Sequence, residues 1–78
     1  MHFFIIAGNY HQANDYARKE NFRINDFHII NDEYQLRGYR AKDLIFLLVG
    51  NYWDNPAYES QFFNMLINEG ATAIRAMF

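Results

Sequence analysis

Hydrophobic and polar positions alternate along this 78-residue chain in blocks that name their own elements. Phe3 to Ala7 is an unbroken apolar run closed by Gly8. It is too short for a helix, and its Phe and Ile content suits a strand covered on both faces. From Asn9 the pattern changes. In "YHQANDYARKEN", Tyr10, Ala13, Tyr16 and Ala17 recur at helical spacing, with Asn9 as N-cap. Phe27 to Ile30 is a second short strand, with Arg23 to Asp26 before it and Asn31, Asp32 and Glu33 after it. The thirteen residues from Asn31 to Asp43 are about the shortest crossover that can carry a helical turn or two. Tyr34, Leu36 or Arg37, and Tyr39 fall on or near that short helix, which Gly38 interrupts. Leu44 to Val49 is the strongest strand signal, bounded sharply by Asp43 and Gly50, and is expected at the centre of the sheet. A last helix is expected from Pro56 at its first position with Asn55 as N-cap. Tyr58, Phe62, Met65 and Leu66 form its apolar stripe, Phe63 and Ile67 widen it, and Gly70 ends it. Ala57 then takes an early helical position. The tail "ATAIRAMF" reads as a short edge strand, because Gly70 has already stopped the helix.

This order of elements, strand and helix in alternation, predicts one α/β domain over residues 1–78. Short right-handed crossovers favour a small three-layer sandwich whose sheet is mainly parallel, with three to four strands in the order 2-1-3-4. That arrangement resembles half of a Rossmann or flavodoxin-like unit. In it the first and third strands are adjacent while the helices that follow them cover opposite faces. Their carboxyl ends then flank the topological switch point, where open α/β sheets place ligands.

Both of those strands end in the same tripeptide, Gly8-Asn9-Tyr10 and Gly50-Asn51-Tyr52. Glycine lets the backbone turn and be approached closely, asparagine caps a helix or bonds a ligand, and the tyrosines offer stacking faces. His11, Trp53 and Asp54 belong to the same two loops. Gly-Asn is also economical chemistry for any strand-to-helix turn, so turn formation alone accounts for the repeat equally well.

Composition narrows the chemistry. The aromatic share is 19%, more than one small core readily absorbs, so some rings are expected at the surface as contact groups. Seven Lys and Arg stand against nine Asp and Glu, and the basic residues are scattered, which argues against phosphate-led nucleic-acid binding. Arg37, Arg40 and Lys42 form the densest basic group. The chain has no cysteine, which removes disulfides, thiolate catalysis and cysteine metal sites, and suits a reducing cytoplasm. The start carries no basic region of a secretory signal, and no run approaches the ~20 apolar residues of a membrane span.

A single glycine per loop makes neither the dinucleotide fingerprint nor a P-loop. "HIINDE", residues 28 to 33, is a strand followed by a helix cap rather than a magnesium site. His2, His11 and His28 lack paired-ligand spacing, and Ser60 is a lone serine inside the expected last helix, so no metal, cofactor or hydrolytic site is expected. His11 with Asp54 is the one acid-base pair the switch point could assemble.

The stretch from residue 27 to 69, with "LRGYR", a long apolar strand and then "GNYWDNP", resembles small uncharacterised α/β proteins that bacteriophages encode in their early regions. The resemblance implies a protein that acts in the host cytoplasm by binding and redirecting a bacterial host protein. The leading expectation is therefore a non-enzymatic interaction module. Its contact face is built from Gly8, Asn9, Tyr10, His11, Gly50, Asn51, Tyr52, Trp53 and Asp54, with Tyr10, Tyr52 and Trp53 as anchors and Asp54, Arg37 and Arg40 as polar selectors. The alternative is a small-ligand or nucleotide binder using the amides of Gly8 and Gly50 in the same crevice. A homodimer through an exposed edge strand is compatible with either.

Overall fold

Four parallel strands form the sheet in the order β2-β1-β3-β4, with β1 at His2–Ala7, β2 at Phe27–Ile30, β3 at Leu44–Val49 and β4 at Thr72–Arg75. The computed structural model describes residues 2–23 and 27–76. The order is the one that short right-handed crossovers favour, and β3 lies inside the sheet between β1 and β4. The expected edge strand in the tail is present over Thr72–Arg75, while Met77 and Phe78 lie outside the described residues.

Helix α1 spans Tyr10–Lys19. Its N-cap is Asn9, whose side chain accepts a hydrogen bond from the Gln12 amide at 2.9 Å, and Arg18 and Lys19 complement the dipole of its last turn. Ala13, Tyr16 and Ala17 are buried against Ile5, Ala7, Leu47 and Val49. Tyr10, at the first helical position, points away from that face and is exposed. The crossover from β2 to β3 carries two single turns of 3₁₀ helix, Glu33–Leu36 and Ala41–Asp43, separated at Gly38. The first has a complete capping box, in which Asp32 accepts from the Tyr34 amide and Gln35 accepts from the Asp32 amide.

The last helix differs from expectation. Tyr52–Asp54 forms a 3₁₀ turn, the chain turns again through Pro56, and α2 spans only Gln61–Asn68 with Ser60 as its N-cap. Asn55 and Ala57 both lie in the turns ahead of α2 and both are buried, Ala57 completely. The cause is local: Glu59 sits in the left-handed region at φ 58°, which breaks any helix begun at Pro56. Ser60 then accepts from the Phe63 amide at 3.3 Å. Gly70, at φ 116°, ends α2 with the paired bonds of a Schellman motif, Gly70 to the Ile67 carbonyl and Ala71 to the Leu66 carbonyl.

The core has two layers, one on each side of the sheet. Phe4, Ile6, Phe46 and Leu48 pack against Leu36, Tyr52, Phe63 and Leu66, and the opposite face packs against α1. Burial pushes the Tyr16 hydroxyl above its ordinary value of 10.0, with Glu20 adding to the effect, and burial followed by Glu59 does the same to Tyr58. The unfolded chain gives up these protons at the ordinary value while the folded chain holds them to higher pH. Their contribution is thus intact below pH 10.0 and is lost as the pH climbs past it. Urea midpoints measured through the alkaline range should fall, and Tyr16→Phe should make the fall shallower. An unchanged slope in that variant would remove Tyr16 as a cause.

Candidate functional site

Because β1 and β3 pair from His2 opposite Leu44 to Ala7 opposite Val49, the two Gly-Asn-Tyr loops leave the sheet side by side. The contact is close: a Cβ on Gly8 would lie 2.7 Å from the Cβ of Asn51 and 2.8 Å from its carbonyl oxygen. Gly50 adopts φ 55°, a left-handed conformation, and a Cβ there would run into the Gln12 amide. Both glycines are thus required by the backbone where the loops meet.

The crevice between the loops is filled from within. Oε1 of Gln12, in the first turn of α1, accepts hydrogen bonds from the Gly8 amide at 3.0 Å and from the Asn51 amide at 3.2 Å. It occupies the place that a ligand oxygen would take at a switch point. Its position in the sequence carried a signal, since glutamine three residues after a capping asparagine is the pattern of a capping box. Here the side chain reaches past the cap to clamp two loops, a tertiary role that the spacing alone does not reveal.

Of the expected anchors, Tyr10 and Trp53 project, each about 61% exposed, with Asn9, His11, Asn51 and Asp54 also exposed and Gly8 and Gly50 half-buried. Tyr52 is a correction. It is only 7% exposed and belongs to the core, where its ring lies 4.9 Å from Tyr58 and 5.2 Å from Trp53. The 3₁₀ turn rotates it inward, and its hydroxyl accepts a 2.8 Å hydrogen bond from the Arg75 guanidinium on β4. Tyr52 therefore supports Trp53 from beneath instead of meeting a partner. Arg37 and Arg40 are exposed in the β2–β3 crossover. No hydrogen bond or ion pair joins His11 to Asp54 among the described residues.

A second polar group escaped the sequence reading. Asn55 donates from Nδ2 to the carbonyl of Ala7 at 2.8 Å and to that of Ile30 at 2.7 Å, and accepts from the Ala57 amide at 2.9 Å. It ties together the ends of β1 and β2. Above it lies a hollow of about 70 Å³, bordered by Gly8, Tyr10, Asn31 and Pro56, far below the ~300 Å³ at which ligand pockets begin. This hollow sits between the ends of β1 and β2.

His2 and His28, remote in sequence, have ring centroids 6.0 Å apart, with Tyr39 against both. Among the described residues no group of three or more His, Asp or Glu side chains could hold a metal ion, and no helix is long and apolar enough to cross a membrane. Compared with known proteins, the chain matches no family model, no curated protein and no solved structure.

Proposed function

We propose that the chain is a non-enzymatic interaction module that presents the loops after β1 and β3 to a protein partner. One observation carries the reading. Tyr10 and Trp53 stand in solvent at the carboxyl end of the sheet, while the crevice between their loops is closed by Gln12. Exposed Tyr and Trp on rigid supports favour a protein contact, and a filled crevice disfavours a bound nucleotide. Trp53 rests edge-on against Tyr52, whose hydroxyl is bonded by Arg75. Asp54 supplies charge beside Trp53, whereas Arg40 follows Tyr39, which packs against His2 at the amino end of β1, and so lies away from the two loops. The resemblance to early bacteriophage proteins supports a bacterial host protein as the partner and the host cytoplasm as the setting.

Trp53→Ala tests this. The variant should melt cooperatively with a loss of about 1 kcal/mol or less, since mainly an edge contact with Tyr52 is removed. In an affinity pull-down from a bacterial lysate, read by mass spectrometry, the unaltered protein should retain one dominant partner and the variant should lose it. Equal retention by both proteins, or no dominant partner, would remove the reading. A rise in melting temperature with one nucleotide from a panel would favour the small-ligand alternative.

A further inference from the structure

A groove of about 720 Å³ straddles the edge strand β2. On the α1 side its wall is Phe22 and Phe27, with ring centroids 6.0 Å apart, backed by Phe3 at 5.7 Å from Phe22. On the other side it is Tyr39 and His28, 6.0 Å apart, with Phe4 at 4.7 Å from Tyr39. Between the two walls runs β2, whose inner side pairs with β1. Among the described residues no strand pairs with its outer side.

This edge is open in two respects. Strands of a parallel sheet are ordinarily covered on both faces, yet in β2 only Ile30 is buried, while Phe27 and Ile29 are half-buried and His28 is exposed. At four residues β2 is short, but it pairs with β1 in unbroken register and, like β4, contains no lysine or proline that would block its outer side. The groove carries one formal charge besides the titratable His28, since Arg18 is the only Lys, Arg, Asp or Glu among its described lining residues. Tyr10 closes it at the carboxyl end of β2.

From these features we infer that the β2 edge receives an extended segment of the partner protein, which adds to the sheet as a further strand. The open row of backbone amides and carbonyls matches another extended chain along its length, as neither a helix nor a small molecule does. Side chains of such a strand alternate in direction, so its apolar residues fall in turn on the Phe22–Phe27 wall and on the Tyr39–His28 wall. An acidic residue faces Arg18. A second copy fits less well, because two β2 edges pairing antiparallel in one continuous sheet would put both α1 helices, and both Arg18 side chains, on the same face. The inference rests on the reading of the chain as an interaction module and names the chemistry of what it binds.

The test is selection from a random peptide display library on the intact protein, followed by amide hydrogen exchange with a selected synthetic peptide. The selected peptides should carry a short run of consecutive apolar residues and share an acidic position. Bound peptide should slow exchange in residues 27–30 and leave residues 52–54 unchanged. Arg18→Glu should weaken that peptide about tenfold, and selection repeated on this variant should exchange the acidic position for a basic one. Ile74→Ser, on the opposite edge, should leave binding unaltered. Failure to select any peptide, protection at residues 52–54 in place of β2, or concentration-dependent protection of β2 in the free protein would each overturn the inference. These outcomes separate from the lysate experiment. A dominant partner without peptide selection removes only the strand-addition mode, and selected peptides without a Trp53-dependent partner remove only the loop surface.

Discussion

Asn55→Ala should destabilise the protein by about 3–6 kcal/mol, a large share of the 5–15 kcal/mol that holds a typical domain. The side chain is 6% exposed and makes three hydrogen bonds, two donated to the ends of β1 and β2 and one accepted from Ala57. Alanine leaves two carbonyls and one amide without their partner, and each such group costs roughly 1–3 kcal/mol when it stays unpaired. Asn55→Asp is the sharper variant. It keeps an acceptor for Ala57 but turns a carboxylate toward two carbonyl oxygens, so it should be at least as unstable at neutral pH and recover partly in mild acid, where a protonated carboxyl can donate once. Urea unfolding of both variants across pH decides the matter. A loss below about 1 kcal/mol for the alanine variant would show that water replaces the amide.

Phe46→Ala should cost about 3–5 kcal/mol. The ring is wholly inaccessible and lies 4.7 Å from Phe63 on α2 and 6.0 Å from Phe4 on β1, so its removal leaves a cavity between sheet and helix that neither neighbour can collapse into freely. Leu47→Ala, one residue along and on the opposite face against α1, should cost about 2–5 kcal/mol by the same mechanism. The pair tests the sheet's position: losses under 1 kcal/mol at both sites are incompatible with β3 lying inside it.

The three inner and edge strands β1, β2 and β3 and the helix α1 were legible because each rests on local information. An apolar run stopped by glycine, and a helical stripe behind a capping asparagine, need nothing from the rest of the chain. The start of α2 was not legible. Asn55-Pro56 satisfies every local rule for a helix entry, but Asn55 gains more by bonding the ends of β1 and β2, which come from distant parts of the sequence. Ser60 then takes over as the cap. Tyr52 and Trp53 show the same limit at the candidate contact face. Adjacent residues in a turn must point in different directions, and nothing in "GNYWDN" says which ring turns inward, because the decision lies with Arg75 on a strand formed later in the chain. Gln12 was hidden for a related reason, since its second partner is the Asn51 amide of the other loop.

The pairing of β1 with β3 also governs when this molecule can acquire its shape. Every strand is parallel to its neighbours, so no hairpin exists to start the sheet locally, and β1 must wait for β2, which begins at Phe27, on one edge and for β3, which begins at Leu44, on the other. During synthesis, Phe3 to Ala7 therefore leaves the ribosome long before the strand that will cover its inner edge. The nascent chain carries an uncovered aromatic and aliphatic segment for much of its translation, the interval in which chaperones or aggregation can claim it.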